Sequence, residues 1–167
     1  MVTLYNTISS DGFIARKDGS EDFIPDELWP SFLKLCMQYS SFVMGRKTYD
    51  ALQNYGQKLL EPFEKLTIKK IVVTNNRNFH PKPGYIVANS LDDALGHGPD
   101  VLVSSGPILN TSLLKNGLID KVIFYAVPVT VGEGIKPFDI ETERYLIPAS
   151  PPRSTEGVTI YEYRVVH

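Results

Sequence analysis

The sequence predicts an α/β fold, with a mostly parallel sheet flanked by helices and an antiparallel edge at its C-terminal end. Three observations carry this. Short runs rich in branched apolar residues, such as Phe42-Val43-Met44, Ile71-Val72-Val73 and Val101-Leu102-Val103, alternate with helical patterns through most of the chain. Runs of this kind fit strands buried on both faces, as parallel strands are. Two of them break into small-residue turns that open onto a helix, Gly45-Arg46-Lys47-Thr48 and Ser104-Ser105-Gly106-Pro107. The tail differs: Val158 to Val166 alternates in polarity, which marks a strand with one wet face.

Composition bounds the rest. With 167 residues, 43% hydrophobic and 22% charged, the chain is expected to form one domain, residues 1–167, with a core large enough to fold without staples. A net charge of −2 and a pI near 5.9 argue against a nucleic-acid or membrane-surface partner, so an anionic ligand needs a local basic cluster. The single cysteine, Cys36, excludes an intrachain disulfide, and His80, His97 and His167 have no metal-ligand spacing. No metal is expected, and a reducing cytoplasm suits the composition. Met1 to Tyr5 lacks the build of a signal peptide, and no apolar run reaches membrane-spanning length.

In order, Val2 to Ile8 reads as a core strand ended by Ser9-Ser10-Asp11-Gly12. Asp11 to Pro25, with two glycines and little periodicity, reads as a long mobile loop of the kind that carries function. Leu28, Trp29, Phe32, Leu33, Cys36 and Met37 recur at helical spacing, with Pro30 in the first turn and Asp26 or a neighbour as cap. Phe42 to Met44 is the next strand. Gly45 allows close approach to the backbone, Thr48 is a candidate cap for a helix running to about Tyr55, and Arg46 and Lys47 add charge at the helix start. This octet reads either as a phosphate-binding turn or as a strand end with solvated cations.

Pro62 is expected to break Leu59 to Leu66. Lys69 to Thr74 is a strand ending in Asn75-Asn76-Arg77, Tyr85 to Ala88 another, and Ser90 with Asp93 caps a brief helix, Leu91 to Leu95. A helix marked by Ile108, Leu109, Leu113 and Leu114 stops at Asn116-Gly117. Lys121 to Val127 is a strand closed by Pro128, Arg144 to Ile147 is β-like, and a turn is expected around Pro151-Pro152-Arg153.

Ser10-Asp11-Gly12-Phe13-Ile14-Ala15, Val43 to Tyr49, and Leu113 to Phe138, with Gly117, Asp120, Pro128, Gly132, Gly134 and Pro137, together resemble the dihydrofolate reductase superfamily. Within it the chain is most similar to the reductase domain of the bifunctional riboflavin-biosynthesis proteins. The resemblance implies a dihydrofolate-reductase-like mixed sheet with an antiparallel C-terminal hairpin, and NADPH across the carboxyl ends of its parallel strands. It implies that Gly45, Arg46, Lys47 and Thr48 hold phosphates, and that Thr74, Asn75 and Arg77 face the adenosine ribose and its 2′-phosphate. Ser105, Gly106, Ile108 and Leu109 would form a second phosphate-facing turn, with Ser105-Gly106 where many relatives carry a glycine pair.

For chemistry the resemblance offers Asp26, after Pro25, as acid or substrate anchor, while a helix cap explains the same residue. Tyr5, where pyrimidine reductases of the pathway carry a lysine, Asp11 and Trp29 are the candidate substrate contacts. A turn explains Asp11 and a core position explains Trp29 equally well. The implied function is an NADPH-dependent reductase of a pterin- or pyrimidine-like small molecule, expected as a homodimer. The alternative is a nucleotide-binding protein without catalysis. A zinc deaminase activity is excluded, since its Pro-Cys-x-x-Cys ligands are missing.

Overall fold

The computed structural model describes residues Met1–His167. In chain order the elements are β1 (Val2–Ile8), β2 (Ala15–Arg16), a 3-10 turn (Asp26–Leu28), α1 (Trp29–Cys36), β3 (Ser41–Gly45), α2 (Arg46–Gln53) and α3 (Gln57–Glu64). There follow β4 (Lys69–Val73), β5 (Tyr85–Ala88), α4 (Leu91–Leu95), β6 (Val101–Val103), α5 (Pro107–Lys115), β7 (Lys121–Ala126), β8 (Gly134–Ile135), β9 (Leu146–Pro148), β10 (Arg153–Thr155) and β11 (Val158–Val165). They divide into two compact units, one of Met1–Pro25 with Gly106–His167, the other of Asp26–Ser105.

In the Asp26–Ser105 unit the strand order is β6-β3-β4-β5, and every pairing is parallel. Phe42, Val43, Met44, Ile71, Val72 and all of β6 are buried, which explains their unbroken apolar character. The register sets Gly45 opposite Val73, so β3 and β4 end level, while Val103 lies opposite Val43, so β6 stops two residues earlier along β3. Against them packs an aromatic cluster. Phe63, fully buried, lies 5.2 Å from Phe42 and 6.1 Å from Phe32 between ring centroids, and Trp29 lies 4.9 Å from Phe32.

In the other unit β1 pairs in parallel with β7, and β11 runs antiparallel to β7, β10 and β9. The expected combination of parallel strands with an antiparallel C-terminal hairpin is therefore borne out. The buried amide of Asn110 on α5 donates to Asn6 Oδ1 (3.0 Å) and to the Pro137 carbonyl (2.9 Å), which satisfies polar groups in an otherwise apolar interior.

Several boundaries depart from the sequence expectation. The second helix begins at Arg46, with extended Gly45 at its N-cap, so Thr48 stands in the first turn and caps nothing. Pro62 lies inside α3 on an exposed face, where a short helix tolerates one missing hydrogen bond. The hairpin turns at Glu156-Gly157, both with positive φ (49° and 79°), and not at Pro151-Pro152-Arg153; Arg153 is already in β10. The β-like tail segment is shifted to Leu146–Pro148. Within Asp11 to Pro25, β2 pairs with β8, and residues 16–20 close a tight turn through Arg16 and Ser20.

Candidate functional site

The carboxyl ends of β3, β4 and β6 carry most of the predicted residues. Gly45 has φ −79° and ψ 168°, a conformation open to any residue, so its backbone angles do not themselves call for glycine. No side chain caps α2, and the first-turn amides of Arg46, Lys47 and Thr48 have no partner within the helix. Ser105, buried just beyond β6, fastens this turn. Its Oγ accepts from the Gly45 amide at 3.0 Å and lies 3.2 Å from Thr48 Oγ1. Ser104 continues the junction, its amide donating to the Val43 carbonyl at 3.1 Å.

The loop after β4 is built from local side-chain turns. The Thr74 amide donates to the Ala88 carbonyl (3.0 Å), Thr74 Oγ1 accepts from the Asn76 amide (3.1 Å), and Asn76 Oδ1 accepts from the Asn78 amide (2.9 Å). Asn75 and Arg77 are exposed on that loop, and Lys47 is exposed on α2. Arg46 links the two turns: its guanidinium carbon lies 4.0 Å from the Phe79 ring centroid, and its Nε donates to Asp50 at 3.1 Å. Phe79 and Asp50 were missed in the sequence. Asp50 had a signal, an acid one helical turn after a cation, whereas Phe79 was one apolar residue in a polar loop.

This donor set suits a phosphorylated nucleotide. Amides at a helix start, two cations on that turn and a third on the next loop are complementary in sign to phosphate. Asp50 competes for Arg46, but it engages only the Nε edge of the guanidinium.

Other predicted residues are less concentrated. Gly106 is the N-cap of α5, with open space where a Cβ would stand; Ile108 is 71% exposed in the first turn and Leu109 is half-buried. Asp26 is exposed at the start of the 3-10 turn. Trp29 donates its indole N–H to the Leu59 carbonyl at 2.8 Å, a bond that ties α1 to α3. Tyr5 is buried, its hydroxyl 2.8 Å from Thr7 Oγ1 and its ring edge-on to Tyr125. Asp11 accepts from Ser9 Oγ (2.6 Å) and from the amides of Val131 (3.1 Å) and Gly132 (2.8 Å). Those bonds, the Ser9 hydroxyl foremost, lower its carboxyl to about 2.

A family model of the RibD C-terminal domain matches residues 1–147. The chain belongs to that family. The uncharacterized protein YyaP of Bacillus subtilis (strain 168) is 26% identical over 152 residues, covering 82% of this chain and 79% of its own. A protein from Shewanella sp. PV-4 named for riboflavin biosynthesis superposes with a TM-score of 0.77 at 20% identity, over 99% of both chains. The diaminohydroxyphosphoribosylaminopyrimidine deaminase/5-amino-6-(5-phosphoribosylamino)uracil reductase of Thermotoga maritima does so with 0.73 at 17%, over 99% of this chain and 56% of its own. Dihydrofolate reductase from Enterococcus faecalis, solved with NADP(H) and RAB-propyl, gives 0.72 at 16%, over 100% and 97%. The chain thus has the dihydrofolate-reductase-like fold that its motifs resemble. No helix is long and apolar enough to cross a membrane.

Proposed function

We propose that this member of the family is an NADPH-dependent reductase acting on a pterin- or pyrimidine-like small molecule. The observation that carries the reading is the Ser105 junction, which joins the Gly45–Thr48 turn to the end of β6, with Arg46 extending it to the loop after β4. Ligands of open α/β sheets bind at such carboxyl ends. Gly45, Lys47 and Thr48 would hold the pyrophosphate, Arg46 of the same turn would reach the neighbouring 2′-phosphate together with Arg77, and Thr74 and Asn75 would face the adenosine ribose. Ser105 braces the turn. The start of α5, with Gly106, Ile108 and Leu109, offers a second set of uncapped amides.

Bound NADPH supplies a hydride for an electrophilic carbon of the substrate. The chain's own work is to orient both molecules and to manage a proton, and we assign that proton, or an anchoring bond to the substrate, to Asp26. Tyr5, Asp11 and Trp29 stay in the proposal as substrate-side residues, with Asp11 and Trp29 acting by holding their segments in shape. The exposure of Asp26 favours a second reading, nucleotide binding without catalysis. We further propose that residues 1–167 act as one domain, as a cytoplasmic homodimer.

The test is NADPH oxidation with dihydrofolate and with the phosphoribosylamino-pyrimidine side by side. One of them should be turned over, and Asp26→Asn should slow that turnover roughly a hundredfold while sparing NADPH affinity. Turnover of neither would favour the binding-only reading, and an unimpaired variant would remove Asp26 from the chemistry.

A further inference from the structure

Phe79 has no role in the nucleotide reading, although it is the one aromatic residue of its loop and is only 8% exposed. Its ring carries the Arg46 guanidinium, 4.0 Å from the centroid, and stands edge-on to the Tyr49 ring at 5.4 Å. A cation this close to an aromatic face is held by the ring quadrupole. The Asp50 carboxylate holds the Nε side at 3.1 and 3.2 Å. An arginine on an exposed helix turn ordinarily samples many rotamers, and here both ends of its motion are restrained.

The support is itself braced. Tyr49 OH accepts from the Lys82 amide at 3.0 Å, and the Tyr49 ring meets Tyr85 edge-on at 5.0 Å. Tyr85 OH donates to Glu64 Oε2 at 2.8 Å and accepts from Gln53 Nε2 at 3.3 Å; Glu64 Oε1 pairs with Lys82 Nζ at 2.9 Å. Phe79 and Lys82 are therefore fixed to α2 and α3, which Tyr85 of β5 in turn joins to each other, by rings and a charge-assisted bond in which Arg46 is the one group assigned to phosphate. The same network holds the Phe79 ring against the Arg46 guanidinium.

We propose that Phe79 is a positioning residue, whose ring, braced by Tyr49, presents Arg46 to the 2′-phosphate that separates NADPH from NADH. This rests on the nucleotide reading above. Ordering the cation before the ligand arrives lowers the entropy lost on binding, and so strengthens the phosphate contact without adding one.

Calorimetric titration of NADPH and NADH into the wild type, Phe79→Leu, Phe79→Tyr, Arg46→Ala and the Arg46→Ala/Phe79→Leu double variant tests it. Leucine keeps apolar bulk and removes the π face; tyrosine keeps the face. Phe79→Leu should weaken NADPH roughly three- to fivefold, leave NADH unchanged, and be rescued by Phe79→Tyr. In the Arg46→Ala background it should have no further effect. The unchanged NADH arm guards against misfolding as the cause. Equal weakening of both nucleotides, no weakening of NADPH, or the same loss without Arg46 would each overturn the proposal. A wild type that binds neither nucleotide brings down the nucleotide reading and this inference with it, whereas a wild type that prefers NADPH beside an indifferent Phe79→Leu brings down this inference alone.

Discussion

At the scale of single residues, Asp11 shows how a motif can be legible while its role is not. Ser9-Ser10-Asp11-Gly12 announces a turn, but the amides of Val131 and Gly132 that occupy its carboxylate lie about 120 positions away and leave no local trace. The bonds have a pH signature. The folded state holds the carboxyl at about 2, below its ordinary 3.8, so the stabilisation is fully present above that ordinary value and is lost as pH falls towards 2. Asp11→Asn should therefore flatten the fall of Tm between about pH 4 and pH 2 relative to the wild type. Equal slopes by thermal scanning would mean that the carboxylate is not fastening the two loops. Cys36 is the opposite case: its place in the apolar pattern at helical spacing is enough to account for its burial, and burial pushes its thiol up to about 12.

At the scale of elements, strands and caps were readable because their signals are local. β6 is a three-residue apolar run found where it was expected, and Ser90 Oγ accepts from the Asp93 amide at 3.1 Å as a capping pair should. Helix starts were less readable. Nothing in Gly45-Arg46-Lys47-Thr48 distinguishes a threonine that caps from one that reaches across to Ser105, because Ser105 is supplied by another strand end. The amino ends of the strands hold a similar long-range link. Ser40 Oγ donates to the Asp100 carbonyl at 2.6 Å and accepts from the Asp100 amide at 3.1 Å. A Cβ on Gly98 would come within 2.7 Å of the Ser40 Cβ, too close for the link to survive in place. Gly98→Ala should cost about 1–3 kcal/mol, read as a lower urea midpoint at unchanged m. An unaltered midpoint would mean that these ends adjust freely.

At the scale of the whole molecule, the fold class was legible because alternating strands and helices leave few topologies open. The neighbourhood of the strand-end turns was legible for a related reason: turns that follow parallel strands share one edge of a sheet, so reading each turn separately also reads their neighbourhood. Register completes the picture by setting Gly45 level with Val73 and bringing Ser104 beside Val43. The substrate side was not legible in this way. Tyr5, Asp11, Asp26 and Trp29 belong to different elements, and their structural bonds explain three of them without a ligand: Tyr5 with Thr7, Asp11 with its loop amides, Trp29 with Leu59.

The central claim is that these strand ends hold NADPH. It is tested most directly by titrating NADPH and NADH into the wild-type protein and following the fluorescence of Trp29. The account predicts saturable binding of both nucleotides, with NADPH roughly tenfold or more the tighter through charge-assisted bonds to its 2′-phosphate. Equal affinity for the two, or no binding of either below millimolar concentration, would contradict it.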